Sequence, residues 1–147
     1  MMDIGSGTGF PSGSLSNFAP HPFEIDGVLC NSMEGFLQGL KFSNPDMQAH
    51  VCTLVGKAAK FKGKKKKWWR DQTLYWKGIP VHRESEAYQN LLTAAYNAIM
   101  LNAGFRRALA ATGKATLTHS MGKNKVNETV LTEREFVGQL NRLRDML

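Results

Sequence analysis

Apolar and polar positions recur along this chain with two periods, and the changes of period divide it into short strands and amphipathic helices. Phe23-Glu24-Ile25 and Val28-Leu29-Cys30 are β-prone runs flanking Asp26-Gly27, a pair suited to the two-residue type I′ turn because both of its positions need positive φ. A β-hairpin is expected there. Asn31-Ser32 then offers a cap for a helix from Met33 to about Phe42, with Met33, Phe36, Leu37 and Leu40 on one stripe and Glu34, Gln38 and Lys41 on another. Asn44-Pro45 starts a second helix, whose expected buried stripe is Met47, Val51, Leu54 and Val55 before Gly56. Ser85 caps a long helix reaching about Leu101, with Tyr88, Leu91, Leu92, Ala95 and Ile99 inward. Asn102 to Ala111 reads as a short helix stopped by Gly113, and Ala115 to His119 as a short strand. The clearest helix is the last, where Thr132 and Glu135 make a capping box and Phe136, Val137, Leu140, Leu143 and Leu147 form the core stripe.

Two segments are less regular. Residues 1–13 hold four glycines and Pro11, so a flexible N-terminal segment is expected until something pins it, with the domain proper over 14–147. Leu74 to Pro80 is aromatic and then turn-like. The tally is α+β, a mostly helical single domain with a small β-hairpin or short sheet. A length of 147 residues fits one domain, and 42% hydrophobic residues suffice to build its core. The apolar stretch Leu91 to Leu101 is broken by Thr93 and Asn97 and falls short of the roughly 20 residues that cross a bilayer. Met1 to Phe10 lacks the basic-then-apolar pattern of a secretory signal, so a cytoplasmic location is expected. Cys30 and Cys52 are too few for a disulfide framework and are expected as reduced, buried thiols. No His, Asp and Glu set has metal-ligand spacing, and neither a metal nor a cofactor is expected.

The net charge of +7 is local. Lys57, Lys60, Lys62, Lys64, Lys65, Lys66, Lys67 and Arg70 place eight positive charges in one stretch with no acid, next to Trp68 and Trp69. Phosphate attraction beside stacking surfaces suits nucleic acid, while a charge run is equally a flexible, solvated loop.

Leu15-Ser16-Asn17-Phe18 through Lys41-Phe42, about one fifth of the chain, resembles the NADAR (YbiA-like) family. That pattern has a Ser-Asn-Phe segment, a Pro-rich turn, a hairpin around Asp-Gly, a Ser-x-Glu-His and a Gln-x-x-Lys helix. Ser16, Asn17, Phe18, Pro22, Asp26, Gly27, Ser32, Glu34, Gln38 and Lys41 fit it with the expected spacing. Tyr75-Trp76 and Leu117-Thr118-His119 look like its later aromatic position and its late strand ending in His. Two features depart: Gly35 stands where the family usually has His, and Lys123 to Glu128 replaces the late Trp-Gly and Asn-x-Leu-Gly loop. The resemblance implies an N-glycosidase acting on ADP-ribose conjugates of guanine or on phosphoribosyl intermediates of riboflavin synthesis.

The chemistry of that reaction sorts the candidates. N-glycoside hydrolysis passes through a ribosyl cation, so it needs a carboxylate near the anomeric carbon to orient water and stabilise positive charge. Glu34, in the first turn of its helix, is the candidate; a Glu there also simply complements the helix dipole, which favours its ionised form. Ser16 and Asn17 offer polar contacts to substrate, and Phe18 and Trp76 offer flat faces, with core packing as their alternative. Gln38 and Lys41 lie near the face of Glu34, Lys41 two turns along, to bind polar groups and phosphate. His119 is placed to protonate the leaving base or is structural. Arg83 holds a phosphate or a carboxylate. The alternative function is a non-catalytic module that binds ADP-ribose, or nucleic acid through Lys57 to Arg70.

Overall fold

The computed structural model describes all 147 residues. Seven α-helices surround three two-stranded sheets. β1 (Met2–Asp3) and α1 (Ser12–Leu15) precede the hairpin of β2 (Phe23–Ile25) and β3 (Val28–Cys30), whose turn residues Asp26 and Gly27 have φ of 51° and 80°. α2 (Met33–Gly39) follows, capped by the Ser32 hydroxyl, which accepts from Gly35 N at 3.0 Å. It ends three residues short of the expected Phe42. α3 (Pro45–Cys52), capped by Asn44, packs across α2. Its buried positions are Gln48, Val51 and Cys52, whereas Met47 is 40% exposed and Leu54 and Val55 lie beyond the helix. Gln48 replaces the expected apolar stripe because its amide is fully used: Nε2 donates to the carbonyls of Gly39 and Tyr75, and Oε1 accepts from Lys77 N.

The lysine run is not a loop. It forms α4 (Gly56–Lys64) and, after Lys67, a single 3₁₀ turn over Trp68–Arg70. Small residues make this possible, since α4 buries only Ala59 and Gly63, one turn apart, and leaves its lysines in water. A second hairpin occupies the stretch read as aromatic and turn-like. β4 (Thr73–Trp76) pairs with β5 (Ile79–His82) through Lys77 and Gly78, both at positive φ. α5 (Glu86–Ile99), α6 (Ala103–Ala111), β6 (Leu117–Thr118) and α7 (Glu133–Arg144) complete the chain. Ser85 and Thr132 cap α5 and α7 as expected, the latter with its Glu135 capping box, and Asn102, read as the first residue of the short helix, is the cap of α6. Of the stripe on the last helix, Phe136, Leu140 and Leu143 are buried, but Leu147 lies past its end and is 57% exposed.

The N-terminal glycines are pinned at one end. β1 pairs in parallel with β6, Ile4 N donates to Thr118 O at 2.8 Å, and the Asp3 carboxylate accepts from Thr118 and Ser120. Ile4 is fully buried in the one apolar core, which also holds Phe36, Leu74, Tyr96 and Phe136. Cys30 and Cys52 are free, buried thiols. No helix is long and apolar enough to cross a membrane.

Candidate active site around Glu34

Glu34 is positioned from three directions. Its backbone N–H, unpaired in the first turn of α2, donates to Asn17 O at 2.9 Å, which ties the Ser16-Asn17-Phe18 segment to the helix start. One turn later Gln38 Nε2 donates to Glu34 Oε1 at 2.8 Å. Lys41 and Lys60, from the end of α2 and from α4, favour its negative charge through space. Burial is the largest influence and wins over all of these, so the Glu34 carboxyl titrates above the usual carboxylate range. The ionised form expected from the helix dipole is thus the costly one here. Lys41 shows the mirror effect: burial lowers it, Glu34 raises it, and the neighbouring Lys123 and Lys60 lower it further.

Neither lysine closes an ion pair with Glu34, since the single ion pair of the chain is Arg83–Glu135. A desolvated carboxylate therefore faces cations that act on it without touching it. Asn17 stands beside it, and Phe18 follows in the chain. Tyr96 donates its hydroxyl to Asn17 Oδ1 at 2.9 Å, which leaves the Asn17 amide donors without a partner in the chain. The half-buried Phe18 ring lies over Gly56 at the start of α4. Ser16 is local: its hydroxyl accepts from Phe18 N at 3.2 Å and shapes the turn.

Two expected site residues belong to the framework. Arg83 is fully buried; Nε donates to Thr129 O at 2.8 Å, both guanidinium ends grip the Glu135 carboxylate, and the group stacks over the Tyr88 ring. Nothing of it remains for a phosphate. Trp76 is 8% exposed, donates from Nε1 to Asp26 Oδ2 at 2.7 Å and meets the Phe36 ring edge-on at 5.2 Å. Phe36 stands two residues after Glu34, on the opposite side of α2, so Trp76 latches the two hairpins together behind the helix. His119 contacts none of the Glu34 group; its Nδ1 meets Ile4 O at 2.7 Å and its ring packs on Phe136. It opens the loop that carries Lys123 towards Lys41.

Sequence reasoning missed Tyr96 and Lys60 as members of this group. A phenol on the inward stripe of α5 is the signal for Tyr96, because a buried hydroxyl requires a partner. Lys60 was hidden among seven other cations. Gly35 also gains a reason: a Cβ there would stand 2.6 Å from the backbone oxygens of both Cys52 and Leu54, so the close crossing of α3 excludes any side chain.

Residues 9–145 match the family described as bacteriophage protein GP30.3. The chain belongs to that family. The chain is 42% identical to the 17.1 kDa protein of the gp30–rIII intergenic region of Enterobacteria phage T4, across 99% of this chain and 98% of that one. Its structure is similar to the E. coli protein YbiA, with a TM-score of 0.63 at 20% identity over 99% of this chain and 83% of YbiA. The chain therefore has the YbiA-like, NADAR-type fold that its N-terminal motifs resemble.

Proposed function

We propose that this protein is an N-glycosidase that hydrolyses the bond between a ribose and a base, on an ADP-ribosylated guanine or a related ribosyl phosphate, with Glu34 as the catalytic carboxylate. The observation that carries this reading is the desolvated Glu34 carboxylate held by Gln38 and faced, without contact, by Lys41 and Lys60. As the C–N bond breaks, its electron pair leaves with the base and the ribose becomes cationic; a carboxylate in a poorly solvated site stabilises that charge strongly. Water oriented by Glu34 adds to the anomeric carbon and gives up its proton, while the departing base gains one. His119, at the start of the Lys123 loop, is the proposed donor of the latter. Lys41 and Lys60 supply the charge for a phosphate, the Asn17 amide a donor for ribose or base, and Phe18 a face for stacking. The steric reason for Gly35 separates it from any loss of chemistry.

The test is chromatographic detection of base release from ADP-ribosylated guanosine, ADP-ribosylated DNA and a ribosylaminopyrimidine phosphate, each with wild type and Glu34→Gln. Release from one of them, reduced about a thousandfold in the variant, is expected. Equal turnover by the variant overturns the assignment of Glu34, and silence on all three with ADP-ribose still bound overturns the hydrolase reading in favour of a binding module.

A further inference from the structure

The excess positive charge of the chain comes from the segment Lys57 to Arg70, which begins beside the candidate site. With Ala59 and Gly63 turned inward, the helical period sets Lys57, Lys60, Phe61 and Lys64, spaced i, i+3, i+4 and i+7, along one flank of α4. Lys60 is the member of that flank whose field reaches Glu34 and Lys41. Phe18, over Gly56, lies at the start of the same helix. Farther along, Phe61 is 64% exposed and Trp69 is 53% exposed. Each ring carries a cation instead of apolar cover: Lys65 Nζ stands 5.1 Å from the Phe61 centroid, and Arg70 lies 5.8 Å from that of Trp69. No carboxylate pairs with any cation of the segment.

Cations set beside exposed aromatic rings match a polymer that alternates phosphates with unpaired bases. Phosphates meet the lysines with release of counterions, and bases stack on the rings whatever their identity. A duplex hides its base faces and leaves Phe61 and Trp69 without a role. We infer that α4 and the turn after it form a docking track for single-stranded nucleic acid, which leads a ribosylated base on the strand towards Glu34. What happens at Glu34 rests on the proposed function; the binding itself does not.

The probe is a fluorescein-labelled 15-nucleotide oligo(dT), followed by anisotropy between 50 and 200 mM salt. Four phosphate contacts would lower affinity roughly 50-fold over that range. Lys57→Gln with Lys64→Gln should flatten the log–log salt slope by about 1.4. Phe61→Ala with Trp69→Ala, both at exposed positions, should weaken binding at least ~5-fold with an unchanged melting temperature. Equal affinity for duplex DNA, no effect of the two alanines, or binding confined to phosphatidylserine vesicles or to polyglutamate overturns the track. In a parallel assay the alanine variant should release base from ADP-ribosylated guanosine as wild type does, but more slowly from an ADP-ribosylated oligonucleotide. Strand binding without any base release refutes the glycosidase and leaves the track standing; base release without strand binding does the reverse.

Discussion

Gln38 stands one turn beyond Glu34 on α2 and holds its carboxylate with one end of its amide, while the other end, Oε1, is buried without a hydrogen-bond partner against Gly63 of α4. The packing of two helices is thereby coupled to the charge of one carboxylate. The donor opposes the rise that burial imposes on Glu34. Gln38→Leu removes it, so Glu34 should ionise at still higher pH, and the rising limb of the pH–rate profile should move up. An unshifted limb would show that Gln38 serves packing alone.

Glu34 should cost the protein stability. Burial holds its carboxyl above the ordinary value of 4.5, so over the interval above 4.5 the folded chain keeps a proton that the unfolded chain has released. Stability therefore falls as pH rises through that interval. Glu34→Gln, neutral throughout, should melt at a higher temperature than wild type at pH 7, and the gap should close below the ordinary carboxylate value. Thermal melts at the two pH values check this, and a variant that melts below wild type at pH 7 contradicts it.

The Arg83–Glu135 pair should serve the fold and not the reaction. Burial raises Glu135, but hydrogen bonds from Arg83, Thr132 and Gln89 and the charge of Arg83 outweigh it and hold the carboxyl below its ordinary value. A depressed carboxyl contributes stability above its unfolded pKa and loses it as pH falls through the folded one. Arg83→Met should cost about 3–5 kcal/mol in urea unfolding at pH 7, because it strands a partly buried carboxylate, and much less under acid conditions. Turnover per folded molecule should stay at the wild-type level; a selective loss of turnover would return Arg83 to the substrate site.

Gly35→Ala should destabilise the domain by about 1–3 kcal/mol, since two backbone carbonyls, unlike a flexible side chain, cannot swing away from the new methyl. Urea midpoints measure it. A neutral result would mean that α3 can move off α2 without cost.

Legibility from sequence followed local chemistry. The Asp26-Gly27 hairpin and the caps at Ser32, Asn44, Ser85 and Thr132 are dictated by neighbouring residues, and so they were readable. The β4–β5 hairpin was not, because Pro80 argues against a strand and Lys77 is an unusual residue at positive φ. α4 was hidden because like charges disfavour an isolated helix, and only packing of Ala59 and Gly63 against α2 makes it one. In the site, Glu34, Gln38, Asn17 and Lys41 come from one contiguous motif, whereas Tyr96 and Lys60 arrive from helices distant in sequence. Of the two rings offered as stacking faces, Trp76 is packed into the core and Phe18 stays half-buried, since exposure is set by what packs from elsewhere.

The parallel pairing of Met2 with Leu117 also sets an order of events during synthesis. The first strand leaves the ribosome with no partner, and its partner follows only after 114 intervening residues have been made. Ile4, buried in the finished fold, gains its backbone partner Thr118 only then. Closure of this sheet is therefore a late event in the life of a nascent chain, and a message cut short before Leu117 yields a product that exposes an adhesive end, suited to removal by proteases.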